Sequence, residues 1–182
     1  MAVSLDAAYE ERVYAGILGK LIGVYLGRPV EGWAYRDIRE RFGLVDRYVN
    51  AELGLPLIVA DDDISGTLAF GRVAEDASAA EFDAVDAGNT WLNYIVEDRT
   101  ILWWGGYGRS TEHTAFLNLK NGIAAPDSGS ITRNGSTLAE QIGAQIFSDA
   151  FALMAPGDPA RAVRLTRAAA SVSHDGVALD AA

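Results

Sequence analysis

Apolar residues recur along this chain at helical spacing, and the strict alternation of a half-buried strand is scarce. Val13, Ile17, Leu21 and Val24 fall on one face of a segment over residues 7–26, with Asp6 placed to cap its start and Gly27 and Pro29 to end it. A short helix is predicted over 35–41, stopping at Gly43. A third opens at Asp61-Asp62-Asp63 and runs to about residue 75, and a fourth covers 83–98 with Val85, Leu92 and Val96 apolar. The segment TILWWGGYGRS reads as an aromatic, glycine-rich loop, after which Ser110 caps a helix reaching Lys120 and stopping at Asn121-Gly122. Residues 123–136 read as a polar loop with a turn at Asn134-Gly135, and a small hairpin is one way to build it. Thr137 and Glu140 have the spacing of a capping box for a helix to about residue 154. Asp158-Pro159 is an N-cap followed by proline at the first helical position, opening a helix to about 171. The pattern predicts an all-α fold, an array of seven helices within one domain over 1–182. The closing VALDAA is either a frayed tail or the first turn of a further helix, and the second option makes the chain the N-terminal part of a longer helical domain.

One feature of the first helix works against its stability. Gly16, Gly19, Gly23 and Gly27 recur every three or four residues, and each interior glycine costs about 1 kcal/mol relative to alanine. The expected compensation is close approach by another helix or by a ligand.

Composition narrows the function classes. With 49% hydrophobic residues among 182, the chain has ample apolar surface to offset the entropy of ordering. Acids outnumber bases 25 to 15, for a net charge of -10, and no basic stretch interrupts them. A binder of nucleic-acid backbones needs clustered Lys and Arg, so that class is disfavoured. Because the chain has no cysteine, any metal must be held by oxygen or imidazole. The opening MAVSLDAAYEER is too polar and acidic for a secretory or transit leader. The most apolar stretch, GILGKLIGVYLG, is 12 residues long with an internal lysine, short of the ~20 that span a bilayer. A soluble, cytoplasmic protein with no membrane partner is the expectation.

The densest chemical signal is IVADDDISGTLAF. Three ionised aspartates repel one another, yet a helix N-terminus offers them free N–H groups and the positive end of the dipole. One suffices as a cap; an oxygen-only cluster is what Mg²⁺ or Mn²⁺ selects. Successive helical side chains diverge by ~100°, so Asp62 and Asp63 converge on a cation only if one of the triplet sits at the cap. Glu31, in GVYLGRPVEGW, sits on a constrained loop beside Val30 and Trp33, where desolvation would raise its proton affinity; the alternative is an ordinary surface glutamate. His113 lies early in a helix, suited to a core or capping role. His174 in SVSHDG, beside Asp175, suits either a ligand-facing role or a helix-end hydrogen bond. Tyr107, Gly108, Arg109 and Ser110 form a flexible, hydroxyl-bearing loop able to hold an anionic group. No Ser-His-Asp ordering, nucleophile elbow or phosphate-binding glycine loop stands out.

In this order, the segments resemble the ADP-ribosylglycohydrolase family, which includes dinitrogenase-reductase-activating glycohydrolase. GILGKLIGVYLGRPVEGW resembles its glycine-rich opening helix followed by Gly-x-Pro-x-Glu. Asp61-Asp62-Asp63-Ile64, followed by Leu68-Ala69-Phe70, resembles the Thr-Asp-Asp-Thr metal motif at a helix start, and SVSHDGVAL resembles the central Thr/Ser-His segment. The resemblance covers about residues 12–182. It departs at Val24, where the family commonly has Asp, and at Asp61 and Ile64, which replace the two threonines; a one-residue shift would pair Asp61 with Asp62 instead. The family's second Asp-x-Asp-Thr/Ser cluster has no counterpart after Asp63.

The resemblance implies an orthogonal bundle of helices and a metal-dependent hydrolase that cleaves the glycosidic bond of ADP-ribosyl or related nucleotide-ribosyl conjugates. It implies Mg²⁺, with Mn²⁺ as the alternative, held at Asp61, Asp62 and Asp63, with Glu31 as acid/base or gate. Tyr107, Gly108, Arg109, Ser110, His174 and Asp175 are the expected substrate contacts, and an ADP-ribosylated protein or an ADP-ribose-like small molecule is the expected partner. On this reading the chain carries half of a dinuclear site, is a poor hydrolase in isolation, and self-associates through an edge exposed by truncation. The alternative is a catalytically inactive ADP-ribose-binding or structural member of the same fold.

Overall fold

The computed structural model describes residues 6–77, 81–97, 99–100 and 105–182. Helices make up most of the described residues, with no strand among them. No helix of the described residues is long and apolar enough to cross a membrane. The chain divides into two compact units, 1–60 and 61–182.

In the first unit, helix α1 (Ala7–Gly27) starts as its sequence dictates, with the Asp6 side chain accepting the Tyr9 N–H at 2.9 Å. A 3-10 turn at Arg28–Val30 buries Pro29 and leads into helix α2 (Tyr35–Phe42), which ends at Gly43 with φ +70°. Trp33 and Phe42 pack with ring centroids 6.0 Å apart. A four-residue helix, α3 (Asn50–Leu53), is not marked by sequence periodicity; Asn50 fixes the following loop by donating to the Pro56 carbonyl at 2.9 Å. Tyr25 Oη likewise donates to the Val59 carbonyl at 3.1 Å. Within its unit, a Cβ built at Gly19, Gly23 or Gly27 would have no neighbour within 4 Å, so no helix of that unit packs closely on these glycines.

In the second unit, helices α4 (Asp62–Phe70) and α5 (Val73–Asp76) replace the single helix expected to about residue 75. The break falls at Gly71, whose Cα lies so close to Ala150 that a Cβ there would sit 3.1 Å from the alanine methyl. Helix α6 (Ala84–Tyr94) carries a capping box between Asp83 and Asp86, and it ends four residues early because Ile95 turns extended; Asp98, the expected end, lies outside the described residues. Residues 101–104 of the aromatic loop also lie outside them. Helix α7 (Thr111–Lys120) begins at the Ser110 cap, as predicted.

The 123–136 stretch forms no hairpin: it folds into a 3-10 turn at Asp127–Gly129 and helix α8 (Ile131–Asn134), with Gly135 at φ +80°. The long helix expected to residue 154 is three short ones, α9 (Ser136–Ala139), α10 (Gly143–Ile146) and α11 (Asp149–Leu153). Glu140 does not close a capping box. Its Oε1 instead accepts the Val177 N–H at 3.1 Å, the start of the last helix. Helix α12 (Pro159–Ala170) is capped by Asp158, and α13 (Val177–Ala181) follows the Ser-His segment. The core joins Phe70, Trp91, Phe116, Phe147, Phe151 and Leu165. Phe70 stacks on Trp91 at 4.1 Å and meets the edge of Phe147 at 5.0 Å, which anchors α4 and the aspartates at its start.

Candidate functional site

The aspartate triplet sits where backbone geometry can use it. Asp61, buried and extended (φ -145°), is the N-cap of α4, and its side chain accepts the Asp63 N–H at 3.0 Å. Its carbonyl takes both the Ser65 N–H at 2.9 Å and the Ser65 hydroxyl at 2.8 Å. Placing Asp61 at the cap leaves Asp62 and Asp63 on the first turn, so the three side chains fan toward one point. One carboxylate oxygen from each lies within 4.8 Å of the others, a group able to hold a metal ion. Thr67, one turn on, holds the helix by donating to the Asp63 carbonyl at 2.7 Å.

Asp62 also lines a cavity of about 210 Å³, together with Arg109, Ser110, Glu112, Gln141, Ile142, Gly143 and Ile146. Glu112 reaches it from the first turn of α7. Burial pushes the Glu112 carboxyl above the ordinary glutamate range; its own backbone N–H and Ser110 oppose this, and the charge of Asp62 adds to it. Behind Glu112 lies His174, only 1% exposed. Its Nε2 accepts the Ala144 N–H at 3.2 Å, so Nδ1 carries the proton and donates to Ser173 Oγ at 2.7 Å. Burial holds this imidazole well below its usual value, at about 4. Gly143 makes the arrangement possible, because a Cβ there would collide with Glu112 Oε1 and come within 2.9 Å of His174 Cε1.

The remaining predicted residues divide by role. Tyr107 and Arg109 are exposed, and Arg109 stands at the cavity. Gly108, at φ +74°, donates its N–H to Thr114 Oγ1 at 2.9 Å. Ser110 is buried; its Oγ accepts the His113 N–H at 3.2 Å and donates to Glu112 Oε2 at 3.2 Å. His174 takes the helix-end option, with both ring nitrogens engaged inside the protein. Asp175 clamps the loop around it, accepting from the N–H groups of Ile131 at 3.0 Å and Gly176 at 2.7 Å. His113 pairs with Glu97 through Nε2 at 3.0 Å, and Glu97 also holds Lys120 at 2.8 Å. Glu31 belongs to the first unit, where it follows the 3-10 turn and is exposed; Val30 and Trp33 do not bury it.

The model of the family described as ADP-ribosylglycohydrolase matches residues 5–182. The chain belongs to the ADP-ribosylglycohydrolase family. Neither the curated proteins nor the solved structures yield a match. Membership supports a glycohydrolase of ADP-ribosyl type in general, and agrees with the all-α fold. Two residues of this cavity escaped sequence reasoning. Glu112 reads as an ordinary acid in the first turn after a serine cap, and Gly143 as a glycine inside an expected long helix. The usable signal was that an interior glycine in a helix needs a packing reason.

Proposed function

We propose that this protein is a metal-dependent hydrolase of the glycosidic bond in ADP-ribosyl, or related nucleotide-ribosyl, conjugates, with an ADP-ribosylated protein or an ADP-ribose-like small molecule as substrate. The observation that carries the reading is the aspartate triplet: three carboxylates whose oxygens gather within 4.8 Å at the start of α4. The donor set fits a hard divalent cation, Mg²⁺ or Mn²⁺, since it is oxygen only and anionic. Asp61, Asp62 and Asp63 would hold it, as one half of a dinuclear site. Bound there, a cation supplies orientation and polarisation of sugar and water oxygens.

The chain's own groups do the rest. Asp61 fixes the first turn of α4 so that Asp62 points toward the cavity. Glu31 remains the acid/base or gate candidate, because oxocarbenium-like cleavage needs a carboxyl group to exchange a proton with the leaving atom or water. Arg109 meets anionic phosphate, while Ser110 and Glu112 present hydrogen-bonding groups to the sugar.

One observation favours a second reading, a catalytically silent member that binds ADP-ribose: Val24 stands where the family's opening motif commonly has Asp. The deciding experiment measures ADP-ribose release from a modified protein, and ADP-ribose binding, each with Mg²⁺ and with chelator. Mg²⁺-dependent release supports the hydrolase. Mg²⁺-dependent binding without release supports the silent member, and the absence of both overturns the two together.

A further inference from the structure

At about 210 Å³ the cavity beside Asp62 is smaller than the ~300–1,000 Å³ of sites that enclose a drug-sized ligand. It has room for one ring of a larger conjugate. Within its wall Glu112 presents a carboxyl group beside Asp62. Its Oε2 accepts from Ser110 at 3.2 Å. Its Oε1 faces His174 Nε2 at 3.6 Å, beyond hydrogen-bond reach, and that nitrogen is already occupied by the Ala144 N–H. No side chain among the described residues donates to Oε1. Gly143 makes room for this oxygen in the cavity wall, since anything larger there would collide with it. The Glu112 side chain, 14% exposed in the cavity wall, keeps acceptor capacity that a donor from an occupant can use.

We propose that Glu112 is a substrate-contact residue that accepts a hydrogen bond from a hydroxyl of the sugar ring occupying this cavity, and so reads whether that hydroxyl is present. The inference rests on the ADP-ribose reading above. A phosphate is a poor occupant of the same place, because Asp62 and Glu112 both turn carboxyl groups to it. A ribose diol supplies two donors and no charge, and exposed Arg109 stands at the same cavity for the anionic remainder.

The test titrates the full chain, with Mg²⁺ present, against ADP-ribose and against analogues lacking one or the other hydroxyl of the terminal ribose. Glu112→Leu and Glu112→Gln are compared with Glu97→Gln, which alters an acid outside the cavity. The unaltered protein should prefer ADP-ribose over one deoxy analogue by about tenfold or more, the worth of a hydrogen bond to a charged or buried acceptor. Glu112→Leu should lose that preference, Glu112→Gln should keep part of it, and Glu97→Gln should keep all of it. Should Glu112→Leu fail to fold, Glu112→Gln decides. A preference unchanged in the Glu112 variants overturns the inference and leaves the ADP-ribose reading intact. No ADP-ribose binding by the unaltered protein overturns both.

Discussion

His174 Nε2 lies 3.6 Å from Glu112 Oε1, and an imidazole and a carboxyl group are thereby buried face to face. Burial lowers the imidazole to about 4 and raises the carboxyl above its ordinary value. The two shifts have opposite consequences for stability. The neutral His174 contributes stability that is complete above its unfolded value of about 6.5 and is lost as pH falls toward 4. Glu112 contributes stability that is complete below its unfolded value and is lost as pH rises through its folded one. Between pH 6.5 and 4, the histidine should cost the fold about 3 kcal/mol. Denaturant unfolding at pH 7 and pH 4.5 should therefore show a smaller pH-dependent loss in His174→Gln than in the unaltered protein. Equal losses would mean that the imidazole is not held neutral by burial.

Gly143 is the contact on which that pair depends. Gly143→Ala places a methyl group against Glu112 Oε1 and 2.9 Å from His174 Cε1. Overpacking of this kind costs about 1–3 kcal/mol, more than the gain from a better helix former. In Glu112→Ala the closest obstruction is gone and only the His174 contact remains, so the same Gly143→Ala change should cost measurably less. A double-mutant cycle by urea unfolding checks this, and strict additivity would contradict the contact.

Glycines of the two units should respond oppositely to alanine. At Gly66 in α4 a Cβ would lie 2.6 Å from the Phe147 ring, so Gly66→Ala should destabilise by about 1–3 kcal/mol despite its helix propensity. At Gly19 in α1 no atom lies within 4 Å of the added carbon, so Gly19→Ala should stabilise by up to about 1 kcal/mol. Thermal melts of both variants suffice. Destabilisation by Gly19→Ala would restore the packing role that the glycine stripe suggests.

The contrast between those glycines also shows what was legible in the sequence. Caps with a local mechanism could be read directly: Asp6, Ser110 and Asp158 each start the helix expected of them, because their oxygens reach N–H groups only a few residues away. Breaks caused by tertiary contacts could not. Gly71 and Gly143 read as helix interior, and only the approach of Ala150, or of Glu112 and His174, shows why the chain departs there. Glu140 matched a local capping pattern, yet its carboxylate goes to Val177, 37 residues on. The gathering of Asp61–Asp63 could be read, because a run of acids at a helix start puts one at the cap and two on the first turn. Glu112 was not, since its distinction lies in burial beside His174, 62 positions away in the chain.

The central claim is that the triplet at the start of α4 binds a divalent cation, and calorimetric titration with Mg²⁺ tests it most directly. Asp76 is the matched control, an exposed aspartate whose carboxylate is occupied by Thr90 and Tyr94, each at 2.9 Å. Asp62→Asn should weaken Mg²⁺ binding by about tenfold or more, as removal of one anionic ligand from a small oxygen site does, while Asp76→Asn should leave it unchanged. Equal effects from the two substitutions, or none from Asp62→Asn, would contradict the metal site and with it the proposed chemistry.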